Sequence, residues 1–304
     1  MRNAFINTMI ECAKKDGSVA LLMAEVGFSV VEPFEKEFPE RFFNTGIAEQ
    51  NLVLTAAGMA LKGMHPVAYS MSAFLPSRAY EMIKVSICYQ NLPVVLVSTG
   101  TGVSYGQMGS THHAIEESVL MRSLPNMNVE FPCNARELKE CIKYALSEQK
   151  PYYISFPKLP APNGMEYEDK SGKATCYKKG KDGAIIGVGF AVNNAIKAAE
   201  SLKHRDIDLA VYGLHTVKPL DIETIISAGK TGSVFVVDEQ QTCGGIGAEI
   251  AKILMENSIK IDRFKEFAIK DTFVDSVMNY DEMLDTYDLS AKKIEIKIEE
   301  MYRR

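Results

Sequence analysis

Several features that often reveal a protein's partners are missing from this 304-residue sequence. Basic residues are not in excess, because 34 lysines and arginines stand against 39 aspartates and glutamates, a net charge of −5. Proteins that bind nucleic acid or anionic lipid usually carry a basic surface. The charge balance therefore predicts no nucleic-acid partner and no membrane partner.

Long apolar runs are also missing. Segments such as 92–98 and 184–189 have the length of a strand and are far shorter than a membrane span. The N-terminus, Met-Arg-Asn-Ala-Phe, continues in an amphipathic pattern rather than the apolar centre of a signal peptide. We therefore expect a cytoplasmic protein.

The six cysteines include no Cys-x-x-Cys pair and no spacing typical of metal ligands. Most lie in apolar segments, where a reduced cysteine behaves as a small hydrophobic residue. The sequence therefore predicts a reduced chain without disulfides and without metal ligands of its own.

Helical and strand-like apolar patterns alternate along the chain. In the first half they fall at 5–14, 18–24, 47–61, 66–69, 77–89, 93–98, 129–132, 135–147 and 152–156. A further helix is predicted to begin near Ser110 or Thr111, with Glu116 and Glu117 favouring its dipole. This alternation is typical of a doubly wound α/β fold with a mainly parallel sheet covered on both faces.

The composition changes between 157 and 183, where prolines, glycines and lysines accumulate without sustained periodicity. A stretch of this kind is unusual inside one compact domain, so we interpret it as a linker with room for an edge strand. A second series of strands and helices follows. The sequence therefore predicts a first domain over 1–160, a linker over 161–182 and a smaller α/β domain over 183–304.

The densest functional signal is the glycine-rich loop at 100–113, Gly-Thr-Gly-Val-Ser-Tyr-Gly-Gln-Met-Gly-Ser-Thr-His-His. It follows a predicted buried strand, the place where open α/β sheets bind ligands. His112 and His113 could donate to a substrate or move protons. Solvated loop histidines are the alternative, and the residues alone leave both open.

A second candidate is Glu49, in the segment 44–51, Asn-Thr-Gly-Ile-Ala-Glu-Gln-Asn. It opens an apolar, alanine-rich helix. An acid in the first turn interacts favourably with the helix dipole. On spacing alone, that structural explanation is the stronger one.

Segments in the same order along nearly the whole chain resemble the transketolase family. They are Arg-Phe-Phe-Asn-Thr-Gly-Ile-Ala-Glu-Gln-Asn at 41–51, Phe-Leu-Pro-Ser-Arg-Ala-Tyr-Glu at 74–81, the loop at 105–117, Met-Arg-Ser-Leu-Pro-Asn at 121–126, His-Thr-Val-Lys-Pro-Leu-Asp at 215–221 and Gly-Gly-Ile-Gly at 244–247. The resemblance implies a pyrimidine-binding domain, the family's C-terminal domain and thiamine diphosphate as cofactor. It also implies transfer of a two-carbon ketol unit between sugars.

Transketolases bind the diphosphate and its Mg²⁺ or Ca²⁺ through a Gly-Asp-Gly motif, which this sequence lacks. The resemblance therefore implies the C-terminal subunit of a split enzyme. A separate N-terminal subunit would carry that motif and bind the metal ion. The two subunits would form an α2β2 heterotetramer with the cofactor at their interface.

The resemblance also implies which residues would meet the cofactor. Glu49 matches the activating glutamate of the family, which faces N1′ of the aminopyrimidine ring. Phe74 matches the aromatic residue that packs on the pyrimidine, and Arg78 and Tyr80 lie on the same helix beside the pocket.

On the substrate side, His112 matches the family histidine that binds donor hydroxyls and helps to move protons, and His113 follows it. Arg2 and Ser29 match positions that reach a sugar phosphate at the mouth of the channel. A disordered N-terminus and an ordinary turn serine are the alternatives for these two residues.

Three positions depart from the family pattern. Gly100 stands where a histidine commonly contacts substrate, and Met108 replaces the aspartate that reads the configuration of the donor's 2-hydroxyl group. Phe131 stands where a phosphate-binding arginine is often found. Since polar and charged contacts are lost, we expect an unusual substrate: a deoxy, unphosphorylated or carrier-linked sugar.

Other functions remain open on the sequence. A 1-deoxy-xylulose 5-phosphate synthase-like condensation would use pyruvate as donor, and the β subunit of a 2-oxoacid dehydrogenase is a weaker alternative. A non-catalytic assembly subunit is a third. Glu49, Phe74 and His112 argue against the last, because a subunit without activity has no need of them.

Overall fold

A computed structural model of the chain describes residues 1–159, 172–274 and 277–303. Among these residues, seven strands form the first sheet in the order β10-β5-β6-β4-β3-β1-β2. They are β1 (Val19–Met23), β2 (Phe42–Asn44), β3 (His65–Met71), β4 (Val95–Thr99), β5 (Asn128–Glu130), β6 (Tyr152–Phe156) and β10 (Thr216–Lys218). All neighbours pair in parallel except β10, which runs antiparallel to β5.

Helices cover both faces of the first sheet, as the alternation of side chains in its buried strands requires. In β1, Leu21 and Met23 pack on one face and Leu22 on the other. The helices of this half are α1 (Arg2–Lys15), α2 (Glu32–Glu37), α3 (Glu49–Leu61), α4 (Leu75–Arg78), α5 (Tyr80–Met82), α6 (Glu117–Arg122) and α7 (Ala135–Ser147).

The second sheet has the order β12-β11-β8-β9-β7. Its strands are β7 (Thr175–Lys178), β8 (Gly183–Val188), β9 (Leu209–Leu214), β11 (Ser233–Gln241) and β12 (Arg263–Ile269). Only the edge strand β7 is antiparallel among the described strands of this sheet. The accompanying helices are α8 (Val192–Lys203), α9 (Ile222–Gly229), α10 (Ile246–Glu256), α11 (Tyr280–Thr286) and α12 (Ala291–Arg303).

The two halves of the chain are joined by backbone pairing as well as by packing. β10 belongs to the second half of the sequence yet pairs with β5 of the first sheet, with Thr216 opposite Glu130. Within the predicted linker, residues 160–171 lie outside the described residues, and β7 is part of the second sheet. The α/β fold class with mainly parallel sheets is confirmed, and the domain limits stay a prediction.

The helix predicted near Ser110 is wrong. A single 3₁₀ turn spans Ser110–His112, and α6 begins only at Glu117. In between, Ala114 exchanges backbone hydrogen bonds with Gly102, and Ile115 accepts one from Gln241. Because these residues pair with distant backbone, they are extended and cannot continue a helix.

The single helix predicted at 77–89 is also wrong. It divides into α4, α5 and a π-helical turn at Ile83–Cys88. Pro76 suits the first turn of a helix, so α4 starts earlier than predicted. Ala79 then leaves helical geometry, with φ −108° and ψ 14°. None of the helices in the described residues has the length and hydropathy that crossing a membrane requires.

Candidate functional site

The loops that carry the candidate residues leave one edge of the first sheet. β1, β2, β3 and β4 are parallel to one another, and Ser29, Glu49, Phe74 and Gly100 follow them in that order. Parallel strands all end at the same edge, where open α/β sheets bind ligands. The fold therefore gathers residues that are far apart in the sequence.

Glu49 is the first residue of α3, and only 3% of it is exposed. The Ser70 hydroxyl donates to its Oε1 at 3.3 Å, and Nη1 of the half-exposed Arg78 donates to its Oε2 at 3.1 Å. A buried carboxylate needs such partners because removing a charge from water is costly. Glu49 borders an open cleft of about 540 Å³, which is also lined by Ile47, Ala48, Gln50, Asn51 and Arg78.

A row of side chains leads from this carboxylate to the glycine-rich loop. The guanidinium carbon of Arg78 lies 4.5 Å from the centre of the Phe74 ring, a cation–π contact. The Phe74 ring is 5.3 Å from the His112 ring, edge to face. The structure thus brings Glu49, Arg78, Phe74 and His112 together.

Tyr105 extends the row, and its position requires glycine at residue 100. The Tyr105 ring is 6.2 Å from that of His112, and Nζ of Lys158 lies 4.6 Å from its centre. A Cβ on Gly100, whose φ is 101°, would collide with the Tyr105 ring. An aromatic side chain therefore occupies the space beside position 100.

The sequence analysis missed both Tyr105 and Lys158. Tyr105 could have been noticed as the aromatic residue within the glycine-rich loop. Lys158 could have been noticed as a cationic residue just after the end of β6. Burial raises the pKa of Tyr105, and the nearby charge of Arg2 offsets part of that rise. Arg2 thus lies on the Tyr105 side of the site.

The two adjacent histidines have different surroundings. Thr111 Oγ1 lies 2.9 Å from Nδ1 of His112, whose ring faces Phe74. His113 is buried, and burial lowers the pKa of its imidazole. His113 therefore belongs to the interior beneath the loop, whereas His112 is only partly buried and lies beside Phe74.

Met108 lies on the outer side of the glycine-rich loop, with 54% of it exposed. The second half of the chain supports this loop, because the Ser110 hydroxyl donates to the carbonyl of Val274. A Cβ on Gly106 would come within 2.6 Å of the Met278 carbonyl oxygen. The loop is therefore held closely against the second domain while Met108 stays accessible.

Three other candidates lie outside the row. The Tyr80 hydroxyl is 2.7 Å from the Ser123 hydroxyl of the loop after α6. Ser29 is exposed in the loop before α2, with a left-handed φ of 63°, and its N–H donates to the Glu32 carboxylate. Phe131 is buried in the core, 6.4 Å from the Tyr153 ring. The phenylalanine that stands in place of the family's arginine therefore does not face the cleft.

No group of three or more His, Cys, Asp or Glu side chains within 1–159, 172–274 and 277–303 is arranged to hold a metal ion. The charged part of the cleft consists of one buried carboxylate, Glu49, and one cationic neighbour, Arg78. This arrangement suits a neutral or weakly basic ring that hydrogen-bonds to Glu49.

Comparisons with known proteins identify the family. Residues 1–162 match a family model described as the transketolase pyrimidine binding domain, and residues 172–294 match the transketolase C-terminal domain. The chain belongs to the transketolase family. The family predicted from the sequence is therefore confirmed.

Relatives in the transketolase family include separate subunits. The chain is 31% identical to one subunit of the apulose-4-phosphate transketolase of Phocaeicola vulgatus, over 86% of this chain and 85% of that protein. It is 31% identical to the 6-deoxy-6-sulfo-D-fructose transketolase subunit SqwH of a Clostridium species, over 97% of this chain and 92% of that protein. A solved structure described as a split gene transketolase, inactive beta4 tetramer, superposes with a TM-score of 0.88 at 31% identity, covering 99% of this chain and 97% of that one.

The transketolase family implies thiamine diphosphate, and the cleft fits the pyrimidine end of that cofactor. A carboxylate that is out of water and borders an open cleft can bind a ring nitrogen strongly. Phe74, half-buried at the same place, offers a flat apolar surface for a ring. The donor set therefore agrees with an aminopyrimidine.

Proposed function

We propose that this chain is the C-terminal subunit of a split, thiamine diphosphate-dependent, transketolase-like enzyme that transfers a two-carbon ketol unit between sugars. The observation that carries the proposal is the buried carboxylate of Glu49 at the cleft, in one row with Phe74 and His112. The relatives that occur as separate subunits support it.

Glu49 is the residue that we expect to share a proton with the ring nitrogen N1′ of the aminopyrimidine. Ser70 already donates to one of its oxygens, and Arg78 compensates its charge. Phe74 would pack on the ring face. The bound cofactor supplies the electron sink that two-carbon transfer requires.

His112 is the residue that we expect to bind the donor sugar. Thr111 engages Nδ1, so Nε2 is the nitrogen left to contact a substrate hydroxyl and to hold or release a proton there. Its edge-to-face contact with Phe74 fixes the ring beside the proposed cofactor position. Arg2 and Lys158, both near Tyr105, would attract an anionic group on the substrate.

The substrate is expected to differ from the ordinary pentose phosphates. Tyr105 fills the space beside Gly100, and Met108 offers no strong hydrogen-bond acceptor. The two relatives above are named for apulose 4-phosphate and for a sulfonated deoxy sugar. Within the expected class of deoxy, unphosphorylated or carrier-linked sugars, Arg2 and Lys158 favour those that carry an anionic group.

The variant Met108→Asp tests the substrate class. It should raise kcat/KM for xylulose 5-phosphate relative to that for a deoxy donor by about tenfold or more, because the new carboxylate can accept a hydrogen bond from the donor's hydroxyl group. Gln107→Glu, which alters the exposed neighbour, is the control. Equal use of xylulose 5-phosphate by parent and Met108→Asp would contradict this part of the proposal.

The proposed partner is an N-terminal subunit that carries a Gly-Asp-Gly motif and binds Mg²⁺ or Ca²⁺, in an α2β2 heterotetramer. An exposed apolar side chain at the cleft supports an assembly. Ile47 is 78% exposed and lines the same cleft as Glu49. Leu54, on the helix that Glu49 begins, is 46% exposed.

Reconstitution tests the function. The chain is purified with a polypeptide that carries the Gly-Asp-Gly motif, and the complex is assayed with thiamine diphosphate, Mg²⁺ and either hydroxypyruvate or pyruvate as donor. We expect turnover of hydroxypyruvate. Turnover of pyruvate alone would favour the synthase-like alternative, and no cofactor-dependent reaction with any donor would favour a non-catalytic subunit.

A further inference from the structure

Glu117 begins α6 directly behind the glycine-rich loop, and 1% of it is exposed. Its carboxylate accepts hydrogen bonds from the Tyr153 hydroxyl and, at 3.5 Å, from the side-chain amide of Gln240. Thr101 and Ser155 are further polar neighbours of this carboxylate. An ionised carboxylate has acceptors only, so Glu117 can satisfy donors from two separate strands, β6 and β11, at once. Burial raises the pKa of Glu117 to about 7, and hydrogen bonding with its polar neighbours offsets part of that rise.

One branch of hydrogen bonds leads from Glu117 to the segment of Phe74. The hydroxyls of Tyr153 and Ser98 are 2.7 Å apart, and Ser72 donates to Ser98 at 3.1 Å. Ser72 also lies 2.9 Å from the Ser155 hydroxyl, which can donate to it. All these side chains are buried. Because Ser72 stands two residues before Phe74, this branch fixes the backbone that carries the ring.

A second branch leads from Glu117 to the segment of His112. The Gln240 amide nitrogen donates to the Ala114 carbonyl at 2.9 Å, and its oxygen accepts from the Ser118 N–H at 3.2 Å. Ala114 also exchanges two backbone hydrogen bonds with Gly102. Because Ala114 stands two residues after His112, this branch fixes the closing end of the loop.

We propose that Glu117 is a positioning residue, whose buried carboxylate sets where Phe74 and His112 stand relative to each other. The inference rests on the proposed function, in which Phe74 contacts the cofactor and His112 binds the donor sugar. Glu117 acts only through the two branches. An amide at this position would bring two N–H donors among groups that already donate, so glutamine cannot replace it.

The chain offers a matched control in Glu137. This glutamate is equally buried and accepts three hydrogen bonds, from the Cys133 N–H, the Thr175 hydroxyl and the Tyr177 hydroxyl. Its donors belong to segments that carry none of the proposed site residues. Replacing it should therefore reduce stability without changing the site.

Four variants in the reconstituted complex test the proposal through KM and kcat. Tyr153→Phe cuts the first branch and should raise the KM for thiamine diphosphate about tenfold, with little change for the donor. Gln240→Met cuts the second branch and should raise the KM for the donor by a similar factor. Glu117→Gln should raise both and lower kcat. Glu137→Gln should lower Tm as much as Glu117→Gln does. It should leave the KM for thiamine diphosphate, the KM for the donor and kcat within about twofold of the parental values.

If Glu117 had only a structural role, Glu117→Gln and Glu137→Gln would have equal KM and kcat values at similar Tm. This result would overturn the inference while the proposed function stands.

If the parent complex is inactive with every donor, the proposed function fails instead. Hydrogen exchange of the chain by itself then decides the inference. Amides within 101–115 should exchange at least about tenfold faster in Glu117→Gln than in Glu137→Gln, and equal exchange would overturn it.

Discussion

Glu49 and Glu117 are both first residues of helices and both buried, yet their surroundings differ. Glu117 accepts hydrogen bonds from Tyr153 and Gln240 of this chain and is almost completely buried. Glu49 has Ser70 and the half-exposed Arg78 as partners and borders an open cleft. The same residue type at the same helix position therefore serves two purposes, according to which groups complete its hydrogen bonds.

Glu117 thus has its hydrogen-bond partners within this chain, whereas the carboxylate of Glu49 borders an open cleft. The Glu117 region joins both halves of the chain through Gln240 of β11. The cleft at Glu49 is bordered by the exposed Ile47 and by a guanidinium that is the main charge partner of the carboxylate. We infer that the cofactor and a second polypeptide complete the cleft.

The largest expected effect comes from Glu49→Gln. If Glu49 shares a proton with the aminopyrimidine, the loss of the carboxylate should reduce kcat of the reconstituted complex by about 100-fold or more, the usual contribution of a proton-transfer group. The measurement is turnover at saturating thiamine diphosphate and donor. Glu81→Gln, an exposed glutamate on α5, is the control and should keep parental turnover.

Gly100→Ala should have the next largest effect, because the added Cβ would collide with the Tyr105 ring. The left-handed φ of 101° and the collision with Tyr105 together should lower the free energy of unfolding by about 2–3 kcal/mol. Gly46→Ala is the matched control: its φ is 73°, but nothing lies within 4 Å of the added Cβ. In urea unfolding, Gly46→Ala should lower the free energy of unfolding by about 1 kcal/mol. If both variants lost the same free energy of unfolding, Tyr105 would not be in close contact with residue 100.

The smallest effect, counted per pH unit, is a pH dependence of stability that comes from the buried Glu117. Burial raises the pKa of Glu117 from 4.5 to about 7, so between these values the folded state retains a proton that the unfolded state releases. Stability from this group is thus full below pH 4.5 and is lost as the pH rises through 7.

The measurement is the free energy of unfolding of the parent minus that of Glu117→Gln, at a series of pH values. This difference should fall as the pH rises from about 5 to 7, by at most about 1.4 kcal/mol per pH unit. Glu223→Gln, at an exposed position, should run parallel to the parent. A parallel curve for Glu117→Gln as well would mean that the carboxyl is not desolvated.

Local patterns in the sequence predicted much of the fold. The bounds of α7 and β6 agree with the predicted 135–147 and 152–156. For α7 the signal is short-range, since Asn134 caps the helix by accepting from the N–H groups of Arg136 and Glu137. The resemblance pointed to Glu49, Phe74, Arg78 and His112, which the fold brings into one row.

Contacts between distant segments could not be read from the sequence. The helix predicted near Ser110 is wrong because Ala114 and Ile115 pair with Gly102 and Gln241. Glu117 was expected as an acid that favours a helix dipole, and its hydrogen bonds to Tyr153 and Gln240 gave no local signal. Such contacts depend on strand order, which periodicity does not specify.

The most direct test of the central claim is cofactor-dependent turnover measured with and without the second polypeptide. The parent chain alone, the Gly-Asp-Gly subunit alone and their complex are each assayed with thiamine diphosphate, Mg²⁺ and hydroxypyruvate, and Glu49→Gln is assayed in the complex. We expect turnover only in the parental complex. Full turnover by this chain alone, or unchanged turnover with Glu49→Gln, would contradict the claim.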